Sequence, residues 1–283
     1  MKAYAKINLF LNVAGRRTDG YHDLEMVNAK IDLADTISFE EIKDNLPVII
    51  QSNDKFLEKE GNLLYCVATH MMNHYASGKS VIITIEKIIP AGAGLAGNST
   101  DAATIIKGIN QLFHLQLNYH EMESIAVKFG ADIPYCLYDS PAIVKGIGDQ
   151  IELTKVPLND CSILIVKPKD FIKTEDVFHL GDKNGFVNYD IESILNAIKL
   201  NNQEAFLQSM GNSLETISFM ISEETKQAKS IICEELGPKG VIMSGSGSTI
   251  LKIIQGKMND LTNFFEKYVN KYWIFQAKII NKE

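Results

Sequence analysis

Cysteine is sparse in this chain. The four present, Cys66, Cys136, Cys161 and Cys233, are scattered, with no CxxC pair among them. That spacing excludes a paired-thiolate zinc site and gives no disulfide framework, so the thiols read as small buried residues in a reducing compartment. An excess of basic residues is also missing. The formal net charge of −7 argues against a general nucleic-acid or anionic-membrane surface and makes any phosphate site local. No segment approaches the ~20 apolar residues of a membrane span. The opening MKAYAKINLFLNVAGRR has too short and polar an apolar run for a secretory signal, so a cytoplasmic location is expected. Repeats and low-complexity tracts are absent. Two familiar phosphate fingerprints are lacking as well: GxxxxGK followed by Ser or Thr, and GxGxxG closing a strand–helix–strand unit.

What is present is an ordinary globular composition, 46% hydrophobic and 22% charged over 283 residues, enough for about two domains at ~100–200 residues each. Ala3–Val13 alternates and predicts a half-buried strand with Lys6 and Asn8 on its polar face. RRTDG reads as a turn, and strands are expected at Tyr21–Leu33, Thr36–Glu41, Val48–Gln51, Ser80–Glu86, Ala142–Lys145 and Ile151–Leu153. Helices are expected over Asn62–Tyr75 and Ser99–Phe113. Asn118 and Glu121 form a capping box for a third helix, ending near Phe129. The second half reads as strand Ser162–Lys167, helices Asp190–Lys199, Gln203–Met210 and Glu223–Leu236, then strand Gly240–Met243. Turn Ser244–Ser248, strand Thr249–Ile254, helix Met258–Tyr268 and strand Trp273–Ile279 follow. Mixed strands and helices of this kind suggest α+β layers, with a domain boundary near Leu153–Asp160.

The most informative stretch is PAGAGLAGNSTDAA, Pro90–Ala103. Small residues running into a helix N-terminus let bare backbone N–H groups and the positive end of the helix dipole face an anion. A glycine-rich turn that binds nothing is an equal alternative on the loop alone. Lys6 reads either as a snorkelling lysine or as a working cation. Asp132, in GADIPYC, reads as a helix cap or an acid/base group. SGSGS at 244–248 is a hairpin turn whose amides could also face an anion. His70 and His74 lie one helical turn apart, but without a third ligand they read as exposed or packed histidines rather than a metal site.

Taken in order, AKIN, DGYH, PxGAGL, GADIP and the late MSGSGS resemble the GHMP kinases over nearly the whole chain, most weakly at Asn45–Glu60 and Lys183–Asn212. GRRTDGYH together with GADIPYC is similar to the branch that phosphorylates a cytidine diphosphate-linked methylerythritol in non-mevalonate isoprenoid biosynthesis. The resemblance implies an α+β two-domain fold. An N-terminal ribosomal-protein-S5-like ATP-binding domain would span residues 1–155, and a ferredoxin-like C-terminal domain 156–283. It also implies an ATP-dependent kinase using Mg2+ and a small-molecule acceptor, with no nucleic-acid or membrane partner. Monomer and homodimer both stay open. Carried onto matching positions, Pro90, Ala91, Gly92, Ala93, Gly94, Leu95, Ala96, Gly97, Asn98, Ser99 and Thr100 would cradle ATP phosphates, with Ser99 or Thr100 near the metal. Asp132 would accept the hydroxyl proton, and Lys6 would orient it and stabilise charge. Asn8, Tyr21, His22 and Phe178 would line the acceptor side, Phe178 facing cytosine, and Gly245 and Ser246 would close the site. A kinase for another small alcohol and a non-catalytic relative are the alternatives. One departure stands out: Ala96 and Asn98 occupy places where the family usually has glycine, and Ala96 is expected not to need a positive φ.

Overall fold

Two long strands open the chain, β1 (Lys2–Arg16) and β2 (His22–Ile42), paired with one another. The structure, a computed structural model, describes residues 1–158, 160–256 and 261–280. The expected half-buried β1 is in fact covered on both faces: apart from half-buried Tyr4, Ala3–Val13 is buried, with Lys6, Asn8 and Asn12 included. Its polar side chains tolerate this because they are satisfied. Asn8 Nδ2 donates to Asn28 Oδ1 at 2.7 Å, and Asn12 Nδ2 donates to Glu25 Oε2 at 3.0 Å. The two strands expected at Tyr21–Leu33 and Thr36–Glu41 are one continuous β2. Ala34-Asp35 does not break it, because the Asp35 carboxylate accepts from the backbone of Ile88 and Ile89.

There follow β3 (Val48–Ser52), α1 (Leu63–Tyr75), β4 (Ser80–Glu86), α2 (Gly97–Leu112), α3 (Tyr119–Ala126), α4 (Ile133–Cys136), β5 (Ala142–Gly146), β6 (Gln150–Leu153) and β7 (Cys161–Lys167). Then come α5 (Thr174–Asn184), α6 (Ile191–Lys199), α7 (Gln203–Ser209), α8 (Glu215–Ile221), α9 (Glu223–Leu236), β8 (Val241–Met243), β9 (Ile250–Gln255), α10 (Thr262–Tyr268), β10 (Trp273–Ala277) and β11 (Ile279–Ile280). α2 starts two residues before Ser99 and α3 stops short of Phe129. Of the helix expected from Met258, residues 258–260 lie outside the described residues. α4, α5 and α8 carry weak sequence signals: α4 is a single turn, and α5 and α8 lack a side-chain N-cap bond. α5 buries only Val177 and Gly181, too narrow a stripe for periodicity to reveal. The four cysteines are free thiols. Among the described residues, no helix is long and apolar enough to cross a membrane.

The residues gather into two compact units that interleave in sequence. The first comprises 1–6, 33–91 and 96–139; the second comprises 7–32, 92–95 and 140–283. In the first unit β3 runs parallel to β4, and β4 antiparallel to the end of β2. Leu64, Val67 and Met71 of α1 and Ile105, Ile106 and Ile109 of α2 form one core with Ile37, Val81, Ile83 and Ile85 of the strands. Gly108 lets α2 approach the sheet closely, since a Cβ there would lie 2.2 Å from the Phe39 ring. In the second unit the antiparallel order β10-β7-β9-β8 is the 4-1-3-2 order of a ferredoxin-like sheet, with the buried Cys161–Lys167 strand inside it. The single strand expected at Trp273–Ile279 is divided. β10 pairs with β7, whereas β11 pairs with β2 because Lys278 exchanges hydrogen bonds with Asp32.

The expected capping box is present: Asn118 accepts from the Glu121 amide at 3.0 Å, and Glu121 accepts from the Asn118 amide at 2.8 Å. It starts the helix that leads the chain toward Asp132. We expect Asn118→Ala to lower the unfolding free energy by ~1 kcal/mol, read from urea denaturation. An unchanged midpoint would show that the cap contributes nothing.

Candidate active site

In the first unit β1 and the α3–α4 connection bring two expected residues together. Lys6 Nζ lies 3.2 Å from Asp132 Oδ1, with side-chain exposures of 5% and 47% respectively. Lys6 is therefore a buried cation with a carboxylate partner and does not snorkel. Asp132 stands at the N-cap position of α4 but makes no side-chain cap bond. Its carboxylate is turned to Lys6 and solvent, an arrangement suited to taking a proton from a hydroxyl.

The small-residue loop also has a definite backbone. Gly92, Gly94 and Ala96 have φ of 59°, 70° and 53°, while Ala93 and Leu95 between them do not have positive φ. Alternation of this sort curls successive amides into a concave, anion-accepting nest. The expectation for Ala96 is overturned: it sits in the left-handed region, at φ 53° and ψ 36°. Placing the entry to α2 there requires the turn, and the alanine methyl makes that turn less favourable than glycine would, by ~1–2 kcal/mol. Gly94 is needed for space as well, since a Cβ would fall 2.2 Å from the Ser244 carbonyl oxygen. Ala96 supplies no side-chain cap bond to α2, so the helix's first N–H groups lack the usual intramolecular acceptor. Thr100 instead ties the first turn from behind, its Oγ1 donating to the Tyr4 carbonyl at 2.7 Å. Ser99 is half-buried and Asn98 exposed in that turn.

The remaining expected residues fall in the second unit. The His22 ring stacks on Phe178 with centroids 4.8 Å apart, and its Nε2 lies 2.8 Å from Asp182 Oδ1. Tyr21 beside it is exposed. Asn8 and the 244–248 turn meet: the Asn8 amide donates to Ser244 Oγ at 3.3 Å, and Ser244 Oγ donates to the Gly94 carbonyl at 2.9 Å. A Cβ on Gly245 would be 3.5 Å from Asn8 Oδ1. Ser246 Oγ hydrogen-bonds Thr174 Oγ1 at 2.8 Å.

Comparison with known proteins accords with this geometry. The family description "GHMP kinases N terminal domain" matches residues 62–140. The 4-diphosphocytidyl-2-C-methyl-D-erythritol kinase of Bacillus cereus (strain B4264) is 35% identical over 254 residues, 90% of this chain and 87% of the relative. The chain belongs to the 4-diphosphocytidyl-2-C-methyl-D-erythritol kinase family. The kinase of that name from Bacillus cytotoxicus is 34% identical over the same shares of the two chains. A crystal structure of 4-(cytidine 5'-diphospho)-2C-methyl-D-erythritol kinase superposes with a TM-score of 0.82 at 27% identity, covering 100% of this chain and 99% of that one. The fold is thus the two-domain α+β arrangement of the GHMP kinases.

Three features of this family member escape sequence reasoning. A cavity of about 290 Å³ in the first unit is lined by Phe56, Leu57, Asn62, Leu64 and Asn98, in a stretch where family resemblance is weak. Asp182, on the unexpected α5, holds His22. The third is a buried charge cluster, in which Lys87 Nζ lies 2.6 Å from Asp101 Oδ2 and also bonds Asp35 Oδ2. Its only sequence signal is two aspartates set among apolar neighbours. Burial pulls the Lys87 ammonium down, but the two carboxylates outweigh it and the group is raised on balance. Burial pushes Asp101 up to about 7, Lys87 opposing and Asp35 adding to the rise. His70 and His74 sit with ring centroids 4.4 Å apart, and burial first, then the nearness of His74 and Lys128, holds His70 low. Among the described residues no cluster of three metal-ligating side chains exists.

Two outcomes follow. Ala96→Gly should raise the unfolding free energy by up to ~1 kcal/mol, part of the relief being offset by the freer unfolded glycine, and should keep or improve nucleotide affinity in a titration. A less stable variant would show that the methyl is favourable. Asp101, raised in the folded state above ~3.9, binds its proton more tightly when folded. Its contribution to stability is complete below about pH 4 and is lost as pH rises through about 7. Between pH 5 and 8 the wild type should therefore lose more stability than Asp101→Asn; parallel curves would contradict the assignment.

Proposed function

We propose that this protein transfers the γ-phosphoryl group of ATP to the 2-hydroxyl of 4-diphosphocytidyl-2-C-methyl-D-erythritol, in the cytoplasm, as a step toward isoprenoid precursors. The observation that carries this reading is the Lys6–Asp132 pair at 3.2 Å, in the same unit as the uncapped start of α2. Residues 1–155 serve as the ATP-binding domain and 156–283 as the C-terminal domain.

Phosphoryl transfer asks a protein mainly for alignment and for positive charge around a spreading anion. The nest at Gly92–Ala96 and the amides of Gly97, Asn98 and Ser99 hold the phosphates. Pro90 and Ala91 lead into that nest, and Thr100 anchors it. The cavity beside Asn98 takes the adenine, with Phe56 as its flat apolar wall. Asp132 accepts the hydroxyl proton on a carboxylate oxygen as the acceptor oxygen bonds to the γ-phosphorus and the bond from that phosphorus to the bridging oxygen breaks, ADP carrying that oxygen away. Lys6 orients that carboxylate and adds positive charge. The donors suit Mg2+: Ser99 offers a hydroxyl at the phosphate end, and with no carboxylate cage among the described residues the ion would keep water and nucleotide oxygens as ligands. When bound it neutralises charge on the nucleotide phosphates. On the acceptor side, Phe178 and His22 present stacked rings to cytosine, His22 steadied by Asp182. Asn8, Tyr21, Gly245 and Ser246 contact the remainder.

Purified protein should release ADP in a coupled assay only when the cytidyl-erythritol acceptor is supplied. Turnover with a different small alcohol, or none at all, would refute the assignment. Asp132→Asn and Lys6→Ala should each lower kcat by ~10²-fold or more. A near-normal rate in either variant removes that residue from the mechanism.

A further inference from the structure

The cluster around Lys87 lies outside the reacting groups, yet it touches both ends of the phosphate loop. Lys87 follows β4 and precedes Ile88-Ile89-Pro90, where the loop begins. Asp101 is in α2, where the loop ends, 14 positions later. Asp35, on β2, is wholly buried and uses both oxygens. Oδ2 accepts from Lys87 Nζ, while Oδ1 accepts from the Ile89 amide at 2.8 Å and from the Ile88 amide. One ammonium thus joins the segment entering the loop to the helix leaving it, and the shared strand pins both. A Cβ on Gly97, the first residue of α2, would lie 3.4 Å from Lys87 Nζ, so the clip sits directly against the helix start.

Resting on the kinase reading above, we propose that Lys87 is a positioning residue for the nucleotide: by bridging Asp35 and Asp101 it fixes the distance between the two ends of the phosphate loop and presets its shape. A loop whose ends are tied loses freedom before the ligand arrives, and the nucleotide then does not have to order it. Lys87 pairs with Asp35 and Asp101, not with the carboxylate proposed to take the proton, so its loss should weaken nucleotide binding more than it slows chemistry.

The test uses the full chain, ADP titration and ATP kinetics. Lys87→Met should raise the ADP Kd and the ATP KM by about 10- to 100-fold, with kcat changed by less than about three-fold. Because this variant leaves two buried carboxylates without a cation, it will also be less stable. The neutral triple variant Lys87→Met, Asp35→Asn, Asp101→Asn removes that penalty, while the carboxamide oxygen left at position 35 can still accept from the loop amides. Its thermal midpoint should recover and its nucleotide affinity should stay weak. Asp101→Asn alone, cutting one arm and keeping the Lys87–Asp35 bond, should give an intermediate loss of affinity. If affinity recovers together with stability in the triple variant, or Asp101→Asn and Lys87→Met bind ADP as the wild type does, the cluster is only structural and the inference is overturned. A wild-type protein that releases no ADP overturns the kinase reading itself, a result these variants cannot mimic.

Discussion

A single hydroxyl, Thr100 Oγ1 on the carbonyl of Tyr4, lets the start of α2 stay open. A helix that forgoes its N-cap gives up ~1 kcal/mol, and its first turn frays unless something else secures it. Here the restraint is moved one turn inward, to the side chain of the fourth helical residue. The strand that receives this bond carries Lys6 two residues later. Helix start and cation are thereby referred to one rigid backbone, which is how a site holds its groups within the small tolerances that group transfer needs.

Charge is arranged on the same local pattern. The chain is acidic overall, with a net −7, so positive potential has to be made locally. Lys6 and Lys87 are nearly buried, and each faces carboxylate oxygen. The two pairs differ in kind. Asp132 is half-exposed, which leaves its carboxylate accessible to a reacting group. Asp35 and Asp101 are sealed, which leaves theirs to architecture alone. Burial, more than residue type, separates the accessible carboxylate from the sealed ones.

Much of this was legible in the residues. Alternation and capping signals located α1, β4, α3 and α9 to within a few positions, and the order of short motifs singled out Lys6, Asp132 and the loop. The failures have physical causes. β1 looked half-buried because its asparagines are polar, yet they are satisfied by Asn28 and Glu25, partners far from them in sequence. Asp35 read as a break between strands because its amide partners are contributed by Ile88 and Ile89. α5 was invisible for want of an apolar stripe, and Asp182 went with it. The φ of Ala96 could not be anticipated, since nothing in a side chain reports the torsion its neighbours impose. The misses at β1 and Asp35 are long-range contacts overriding a local preference.

The pairing of β11 with residues 30 and 31 of β2 bears on how the polypeptide matures. Ribosomes deliver residues in order, so this stretch of β2 waits for partners made 246 positions later before its edge is covered. Until Lys278 and Ile279 emerge, that edge stays exposed and can pair with another nascent chain. Non-local closure of this sort slows folding. It should make production of the protein sensitive to translation speed and to chaperone supply.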